Sequence, residues 1–389
     1  LVIGGTGGSG GEGGGGGGSS EPSYLAVGAY GANSTTGAAY VYDASNYSAT
    51  PTKLTPTELV GGDAFGFSIA ATSNHIVVGA QWDDDIDTNA GAAYVYDATN
   101  LSATPTILAP SDLGNSDQFG GAVAVYSNQI AVGAKNGNAV YVYDANNLSA
   151  TPTKLQPSGV VAGDYFGSSI TITSNHIIIG ADSDSTQNTD SGAVYIYDAN
   201  NLSATPTKLV PSVGYQFGNF GYSVAATSNQ IVVGASKDGS QGNYAGAVYV
   251  YDATNLSATP TQIIPSAVDA GDKFGWSVAA TSNHIVVGAV GDAVQGDGTG
   301  AAYVYDATNL SATPTKLQPS GLQNYDNFGN AVAAYGNQII ITEPFDDDTA
   351  SNAGAVYVYD ATNLSATPTR LDVTSGDSNY YFGSSVALG

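Results

Sequence analysis

Acidic loops are the segments of this chain whose residue types and spacing could support chemistry. Aspartates alternate at Asp83, Asp85 and Asp87, and shorter versions of the pattern occur twice more. Calcium takes about six to eight oxygen ligands, and alternate aspartates on a tight loop can supply several of them. The candidate calcium ligands are Asp83, Asp85, Asp87, Asp182, Asp184, Asp346 and Asp348. The alternative is that these are solvated acidic turns, because no glycine stands where a calcium loop would turn.

Other catalytic arrangements are disfavoured. The three histidines, His75, His176 and His284, each follow a Ser-Asn pair, and glutamine occupies the same slot in other copies of the repeat described below. A slot that accepts either residue indicates a polar turn position and not a Ser/His/Asp triad. A glycosidase needs two carboxylates, but the predicted inner strands carry no non-repeating acid. We therefore expect no enzymatic activity.

The elements that position these loops are repeated seven times. The phrase Tyr-Val/Ile-Tyr-Asp-Ala recurs at intervals of 54 residues, with one interval of 47. A period of this size is typical of propellers, solenoids and tandem arrays. Because the aspartate that ends each phrase recurs in every copy, we interpret it as a turn residue that accepts backbone N–H groups.

Each repeat predicts four strands. In one copy these are 274–280, 284–289, 300–305 and 313–317, separated by the turn 281–283, a variable loop and the turn 306–312. The chain begins on a second strand at 24–29 and finishes on a first strand at 382–388. The C-terminal strand can therefore complete the N-terminal blade and remove both sheet edges. The sequence predicts an all-β, seven-bladed propeller of four-stranded antiparallel blades over 24–389.

The repeat resembles a known family. The order Phe-Gly-x-Ser-Val-Ala, then Val-Val-Gly-Ala, then Gly-Ala-x-Tyr-Val-Tyr is similar to the FG-GAP repeat, which includes the propeller of integrin alpha chains. The resemblance implies a secreted or surface-displayed module for adhesion and protein interaction. Calcium-binding members carry acidic residues between the first and second strands, where this chain has Thr-Ser-Asn, so that calcium site does not carry over. The sequence looks closer to the bacterial and archaeal surface-protein subfamily with acids between the second and third strands.

The composition of the chain disfavours several classes of binding partner. The chain has 389 residues, a formal net charge of −25, only eight Lys plus Arg, no Cys and no Met. Such a surface repels nucleic acid and anionic membranes. No apolar run is long enough to span a membrane. Residues 1–23 are rich in Gly and Ser and predict a flexible tether. We expect a fragment of a larger chain or assembly.

Two further sets of candidate residues follow from the repeat. The turn after each third strand matches the acceptor Asn-x-Ser, whose alternative reading is a copied polar turn. These candidate glycosylation sites are Asn46, Asn100, Asn147, Asn201, Asn255, Asn309 and Asn363. The loops between second and third strands and the links between fourth and first strands both vary, and they predict the ligand face. This face carries Trp82, Tyr244 and Phe345.

The expected function is a non-catalytic interaction or adhesion module, extracellular or displayed on a cell or virion surface, with a protein or glycan ligand. The alternatives are a carbohydrate-binding propeller or a polysaccharide hydrolase or lyase, and a structural subunit of a virion appendage or extracellular filament. Calcium is the one candidate cofactor.

Overall fold

The structure is a computed structural model that describes residues 22–293, 296–373 and 378–389. It contains seven four-stranded antiparallel sheets, so the predicted seven-bladed propeller is confirmed. The predicted tether lies outside the described residues except for positions 22 and 23.

The blades are numbered along the chain. Blade 1 has the strand order β28-β1-β2-β3, and blades 2 to 7 each take four consecutive strands from β4 onward. One short turn of helix, α1 (Ala32–Thr35), lies in blade 1 and contains left-handed backbone at Asn33 and Ser34. The strands are β1 (Tyr24–Ala29), β2 (Ala38–Asp43), β3 (Thr52–Leu54), β4 (Phe65–Ala71), β5 (His75–Ala80), β6 (Ala92–Asp97), β7 (Thr106–Leu108), β8 (Phe119–Tyr126), β9 (Gln129–Ala134), β10 (Ala139–Asp144), β11 (Thr153–Leu155), β12 (Phe166–Ile172), β13 (His176–Ala181), β14 (Ala193–Asp198), β15 (Thr207–Leu209), β16 (Phe220–Ala226), β17 (Gln230–Ala235), β18 (Ala247–Asp252), β19 (Thr261–Ile263), β20 (Phe274–Ala280), β21 (His284–Ala289), β22 (Ala301–Asp306), β23 (Thr315–Leu317), β24 (Val332–Tyr335), β25 (Gln338–Glu343), β26 (Ala355–Asp360), β27 (Thr369–Asp372) and β28 (Ser385–Leu388).

The ring closes as predicted, with a shorter C-terminal strand. β28 pairs with β1, and Ala387 faces Ala26 in that register. The first strand of each blade contacts the first strand of the next, so these inner strands form a closed circle. The last strand begins at Ser385, three residues later than predicted, and the fourth strands are only three or four residues long.

A bulge opens the first strand of most blades. In blade 6, Phe274 pairs with Ala289, and the register then shifts before Ser277. Gly275 within the bulge has φ +87°, a conformation that favours glycine. The buried Phe274 ring meets Tyr303 edge-on at 5.5 Å, and corresponding Phe–Tyr pairs occur in all seven blades. The repeated Phe-Gly and Tyr-Val-Tyr phrases are therefore core and bulge residues.

In blades 1 to 6, the glycine near the end of the second strand allows adjacent blades to approach. A Cβ added to Gly288 would lie 2.0 Å from the carbonyl oxygen of Gly329 in the next blade. Ser277 donates its hydroxyl to that same carbonyl at 2.8 Å. Side chains from adjacent blades then fill shared hydrophobic clusters, such as the one that joins blades 5 and 6.

The loops divide between two faces. The 1–2 and 3–4 turns form the constant face, where the repeats are nearly identical. The 2–3 loops and 4–1 links form the variable face, where they differ in length and sequence. In the described part of the chain, no helix has the length and apolar character needed to cross a membrane.

Candidate functional site on the variable face

Under the variable face, most blades hold a small polar chamber, which we call the acid pocket. In blade 6, Asp292 of the 2–3 loop is fully buried and accepts the Tyr303 hydroxyl at 2.8 Å. Lys316 is the cross-strand neighbour of Tyr303 and donates to Asp292 at 2.7 Å. Asp272 of the 4–1 link completes the pocket, and its side chain accepts the Asp269 N–H at 2.8 Å. Two acids, a tyrosine and a cation therefore share one buried space.

The acid pocket recurs in other blades, but its charged residues differ from blade to blade. Blade 4 matches blade 6, blade 2 has the two acids and no cation, blade 5 has one acid and a glutamine, and blade 7 replaces lysine by arginine. The corresponding residues are Asp63, Asp83, Tyr94 and Ile107 in blade 2; Asp164, Asp184, Tyr195 and Lys208 in blade 4; Asp238, Tyr249 and Gln262 in blade 5; and Asp326, Asp346, Tyr357 and Arg370 in blade 7.

The pKa of the buried acid differs between blade 4, which has the cation, and blade 2, which does not. Burial opposes ionisation of Asp184, but hydrogen bonds from Lys208 and Thr186 outweigh it, and the pKa of Asp184 lies below its ordinary value. In blade 2, burial raises the pKa of Asp83, and no lysine counters it. Burial likewise raises the pKa of Asp63 to about 6. A buried carboxylate without a cation is costly.

Blade 7 adds a third carboxylate to the pocket. Asp326, Glu343 and Asp346 are all buried, and one oxygen from each lies within 4.8 Å of the others. Arg370 donates from Nη2 to both carboxylate oxygens of Asp346 at 3.0 Å. Burial raises the pKa of Glu343 to about 9, and Asp346 and Asp326 add to the rise. Among the described residues, this is the group of three acids close enough to share one metal ion.

The seven predicted calcium ligands are not gathered together. Asp83, Asp184 and Asp346 occupy the buried position of three different blades, whereas Asp85, Asp87 and Asp348 are exposed. Asp182 lies apart, at the centre of the ring. Of the seven, Asp346 joins the three-carboxylate cluster. Calcium at the other six stays a prediction.

Near the central axis, the variable face carries a continuous row of five aromatic rings, the aromatic arc. Its members, from blade 7 through blade 1 to blade 2, are Phe345, Tyr381, Tyr30, Phe67 and Trp82. Tyr381 and Tyr30 stack at 5.0 Å with an interplanar angle of 11°. Two of the three predicted ligand-face aromatics, Trp82 and Phe345, form the ends of this arc. The third, Tyr244, is exposed in blade 5, away from it.

Opposite the aromatic arc, blades 3 to 6 carry the lysine arc, formed by Lys135, Asp182, Lys237 and Lys273. Lys135 and Asp182 each directly follow the second strand of their blade. Burial raises the pKa of Asp182, whereas Lys135 and Lys237 oppose the rise. Burial lowers the pKa of Lys273, and Lys237 lowers it further. The four side chains thus interact electrostatically across neighbouring blades.

The lysine arc also holds aromatic and unsatisfied polar groups. Lys273 lies 5.4 Å from the ring of Trp276, which contacts Tyr222 at 4.8 Å. The Tyr222 hydroxyl, the Trp276 Nε1 and the Ser236 hydroxyl are buried and make no hydrogen bond. Buried polar atoms without partners are uncommon, and here the Trp276 side chain also lies beside Lys273.

Neither Glu343 nor the three lysines of the lysine arc were predicted as site residues from the sequence. Six blades end the second strand with alanine, and blade 7 ends it with Glu343. The other five basic residues occupy one repeated position in the fourth strands, whereas the three lysines of the lysine arc lie outside those strands. These five fourth-strand residues are Lys53, Lys154, Lys208, Lys316 and Arg370. Comparing the repeats position by position would have revealed both exceptions.

The repeated residues of the constant face have structural partners. The aspartate that ends each third strand accepts the N–H two residues later, as Asp306 does from Thr308 at 2.8 Å, in all seven blades. Each candidate glycosylation asparagine is exposed and accepts the hydroxyl of its own Ser, as Asn309 does from Ser311 at 2.7 Å. The three histidines begin second strands in different blades. Glycosylation stays a prediction.

Comparison with known proteins identifies the repeat. A family model described as FG-GAP repeat matches residues 50–96, 151–197, 205–251, 260–305 and 313–359. The chain belongs to the FG-GAP repeat family. This confirms the resemblance inferred from the sequence. No curated protein matches this FG-GAP chain in sequence.

Solved structures share the fold of this FG-GAP protein at low sequence identity. Virginiamycin B lyase from Staphylococcus aureus has a TM-score of 0.55 at 8% identity, covering 85% of this chain and 98% of that one. Hydrazine synthase of Kuenenia stuttgartiensis has a TM-score of 0.52 at 14% identity, with 76% of each chain covered. U3-55K has a TM-score of 0.50 at 12% identity, with 77% of each chain covered. At these identities the likeness concerns fold alone.

Proposed function

We propose that this FG-GAP propeller is a non-catalytic interaction module, extracellular or surface-displayed, that binds a partner through its variable face. Membership of the FG-GAP family supports an interaction role. The division between a constant face and a variable face supports the location, because binding residues concentrate on loops that a rigid scaffold positions.

The observation that carries the proposal is that the variable face presents two chemically different groups of side chains, the aromatic arc and the lysine arc. Both arcs occupy positions whose residues vary from blade to blade, while the strands beneath them are nearly identical. The half-buried rings of the aromatic arc, Phe345, Tyr381 and Trp82, offer apolar contact above the buried Tyr30 and Phe67 rings, and the lysines opposite offer positive charge on a chain of net charge −25. A rigid ring that presents two chemically different arcs fits a partner with an apolar segment beside an acidic one.

The lysine arc favours carboxylates in the partner. Lys135 and Lys237 share one nearby acid, Asp182, and Lys273 interacts with Lys237, whereas fourth-strand lysines such as Lys208 and Lys316 are held by acids of their own. The unsatisfied hydroxyl of Tyr222 and Nε1 of Trp276 lie beside them. An incoming carboxylate would gain charge-assisted hydrogen bonds there.

A displayed library of acidic peptides tests this proposal. We expect selected peptides to bind the wild-type chain and to lose at least tenfold in affinity for the triple variant Lys135→Ala, Lys237→Ala, Lys273→Ala. The control variant Lys154→Ala removes a lysine from an exposed ion pair with Asp112 on the outer part of blade 3. Equal binding to the triple variant, or no binding to the wild type, would contradict the proposal.

Carbohydrate binding is a second candidate, and the aromatic arc favours it. Sugar rings stack on aromatic faces, and half-buried Trp82 and Phe345 stand at the two ends of the arc. An array of neutral and acidic glycans distinguishes the two functions. Glycan binding that the variants Trp82→Ala and Phe345→Ala remove, and that Tyr244→Ala leaves unchanged, would favour the carbohydrate function.

A further inference from the structure

We propose that Asp326, Glu343 and Asp346 in blade 7 form a binding site for a divalent cation, and that calcium is the ion that fits it. The site lies under the variable face, between the 4–1 link, the end of β25 and the 2–3 loop. It differs in position from the Thr-Ser-Asn turns of the constant face, which carry no carboxylate.

The repeat provides an internal comparison for Glu343. The other six blades end the second strand with alanine, at Ala29, Ala80, Ala134, Ala181, Ala235 and Ala289. Blade 7 alone among the seven places a carboxylate there, beside the two aspartates that blades 2, 4 and 6 also carry. Burying a third acid beside two others has no structural benefit by itself, because like charges in a buried site repel.

The buried side chain of Glu343 has an oxygen without a hydrogen-bond partner. Its side chain is 1% exposed, lies in the cluster and leaves Oε2 without a hydrogen bond. In blade 6 the buried acid, Asp292, is held by both a tyrosine and a lysine. A buried carboxylate that has an unsatisfied oxygen and lies beside two further carboxylates is an arrangement that a cation would complete.

The charges around the cluster leave room for two positive charges. Arg370 neutralises one acid, and its guanidinium is already held by Asp346, Asp348 and Asp372. The three cluster acids and Arg370 together carry a formal charge of −2 when the acids are ionised. A divalent cation would balance that charge. The ligands are all carboxylate oxygens, which favours calcium over softer metals, and water would supply the remaining ligands.

The cation would also act on the surface above it. Phe345, one end of the aromatic arc, lies between Glu343 and Asp346 in the sequence and meets Tyr381 at 5.5 Å. An ion bound to both neighbours would hold this loop in one conformation. This consequence depends on the proposed function, whereas cation binding itself does not.

Isothermal titration of the chelator-treated chain with calcium chloride tests the site, and terbium luminescence provides a second readout. We expect one high-affinity ion per chain and a melting temperature that rises with calcium. Glu343→Ala gives blade 7 the residue of the other six blades, so it should fold, and it should lose at least tenfold in calcium affinity.

The matched control is Glu58→Ala, which removes the same group from an exposed position. It should bind calcium as the wild type does. The absence of heat and of a melting shift in the wild type would overturn the site. Unchanged affinity in Glu343→Ala would also overturn it and would place the ion on other acids. If calcium binds but peptide or glycan binding fails, the cation site stands and the proposed function does not.

Discussion

Blades 6 and 7 are adjacent copies of one unit, and they differ at the end of the second strand, where neighbouring blades approach most closely. Blade 6 ends its second strand with Gly288 and Ala289, and blade 7 ends its own with Thr342 and Glu343. Blade 6 has a seven-residue inner strand, whereas the inner strand of blade 7, β24, has four residues. In blade 7 the Thr342 hydroxyl interacts with the backbone of Ala331.

The difference distinguishes residues that pack one blade on the next from a residue that serves binding. Blade 6 retains every device that packs one blade on the next: the bulge, the glycine at the close approach and the serine hydrogen bond. Blade 7 gives up two of these devices and gains a buried carboxylate. A blade that departs from the shared packing only where it gains an acid indicates that the acid itself is useful.

Exchanging the close-approach residues should give the largest effect. Gly288→Thr places blade 7's residue in blade 6, where its Cβ would lie 2.0 Å from the Gly329 oxygen and 2.3 Å from the Ser277 hydroxyl. We expect the free energy of unfolding to fall by more than about 3 kcal/mol, because the neighbouring backbone must move. Urea unfolding measures it. The reverse change, Thr342→Gly, should cost less than half as much, and equal losses would contradict the asymmetry between the blades.

Removing the cation of each acid pocket should give the next largest effect. Lys316→Met leaves Asp292 buried without its ion pair, and we expect a loss of about 2–3 kcal/mol, since a lone buried charge is costly. Arg370→Met should cost at least as much in calcium-free buffer. Calcium should raise the melting temperature of Lys316→Met only as much as that of the wild type, because blade 7 is intact, and should raise that of Arg370→Met more, because the site has lost its competing cation; thermal melting measures both. Equal responses to calcium would remove the distinction between the pockets.

The buried acid of the 4–1 link in blade 6 should make the stability of the protein depend on pH. Burial raises the pKa of Asp272 in blade 6 to about 6, from an ordinary value of 3.8. The folded state therefore holds a proton that the unfolded state releases, and stability falls as the pH rises from about 4 through about 6. Asp272→Asn should be more stable than the wild type by about 1 kcal/mol at pH 7 and equal to it near pH 4. An identical pH profile for both proteins would contradict the pKa shift.

The constant face should show the smallest effect and no difference between the blades. Ser311→Ala in blade 6 and Ser365→Ala in blade 7 each remove an exposed hydrogen bond to the preceding asparagine. Each should change the free energy of unfolding by less than about 0.5 kcal/mol. A large loss in either blade would show that these turns do more than connect strands.

Much of the fold could be predicted because its signals are local and repeated. The Phe-Gly and Tyr-Val-Tyr phrases, with the turn aspartate, recur at a fixed period, and the offset between the chain ends predicts closure. The fourth strands are shorter than predicted: the sequence suggested 313–317, but pairing with the third strand begins at Thr315, after Pro314, which has no N–H to donate.

The candidate site was predicted less well, because its members meet across loops. Asp326 and Asp346 come from different loops, and only the fold places them beside Glu343. Alternation along one loop suggested Asp85 and Asp87 as ligands, yet both are exposed to solvent. Burial, which decides whether an acid needs a partner, depends on the pairing of the strands and is not visible in the spacing of aspartates.

A crystal structure of the chain grown with calcium would test the central claim most directly. We predict an ion between Asp326, Glu343 and Asp346, with calcium–oxygen distances of about 2.3–2.6 Å and Arg370 retained on the outer side of Asp346. Direct hydrogen bonding between the Glu343 and Asp326 carboxyl groups, with no ion between them at saturating calcium, would contradict it. That result would mean that Glu343 holds a proton where we place a metal.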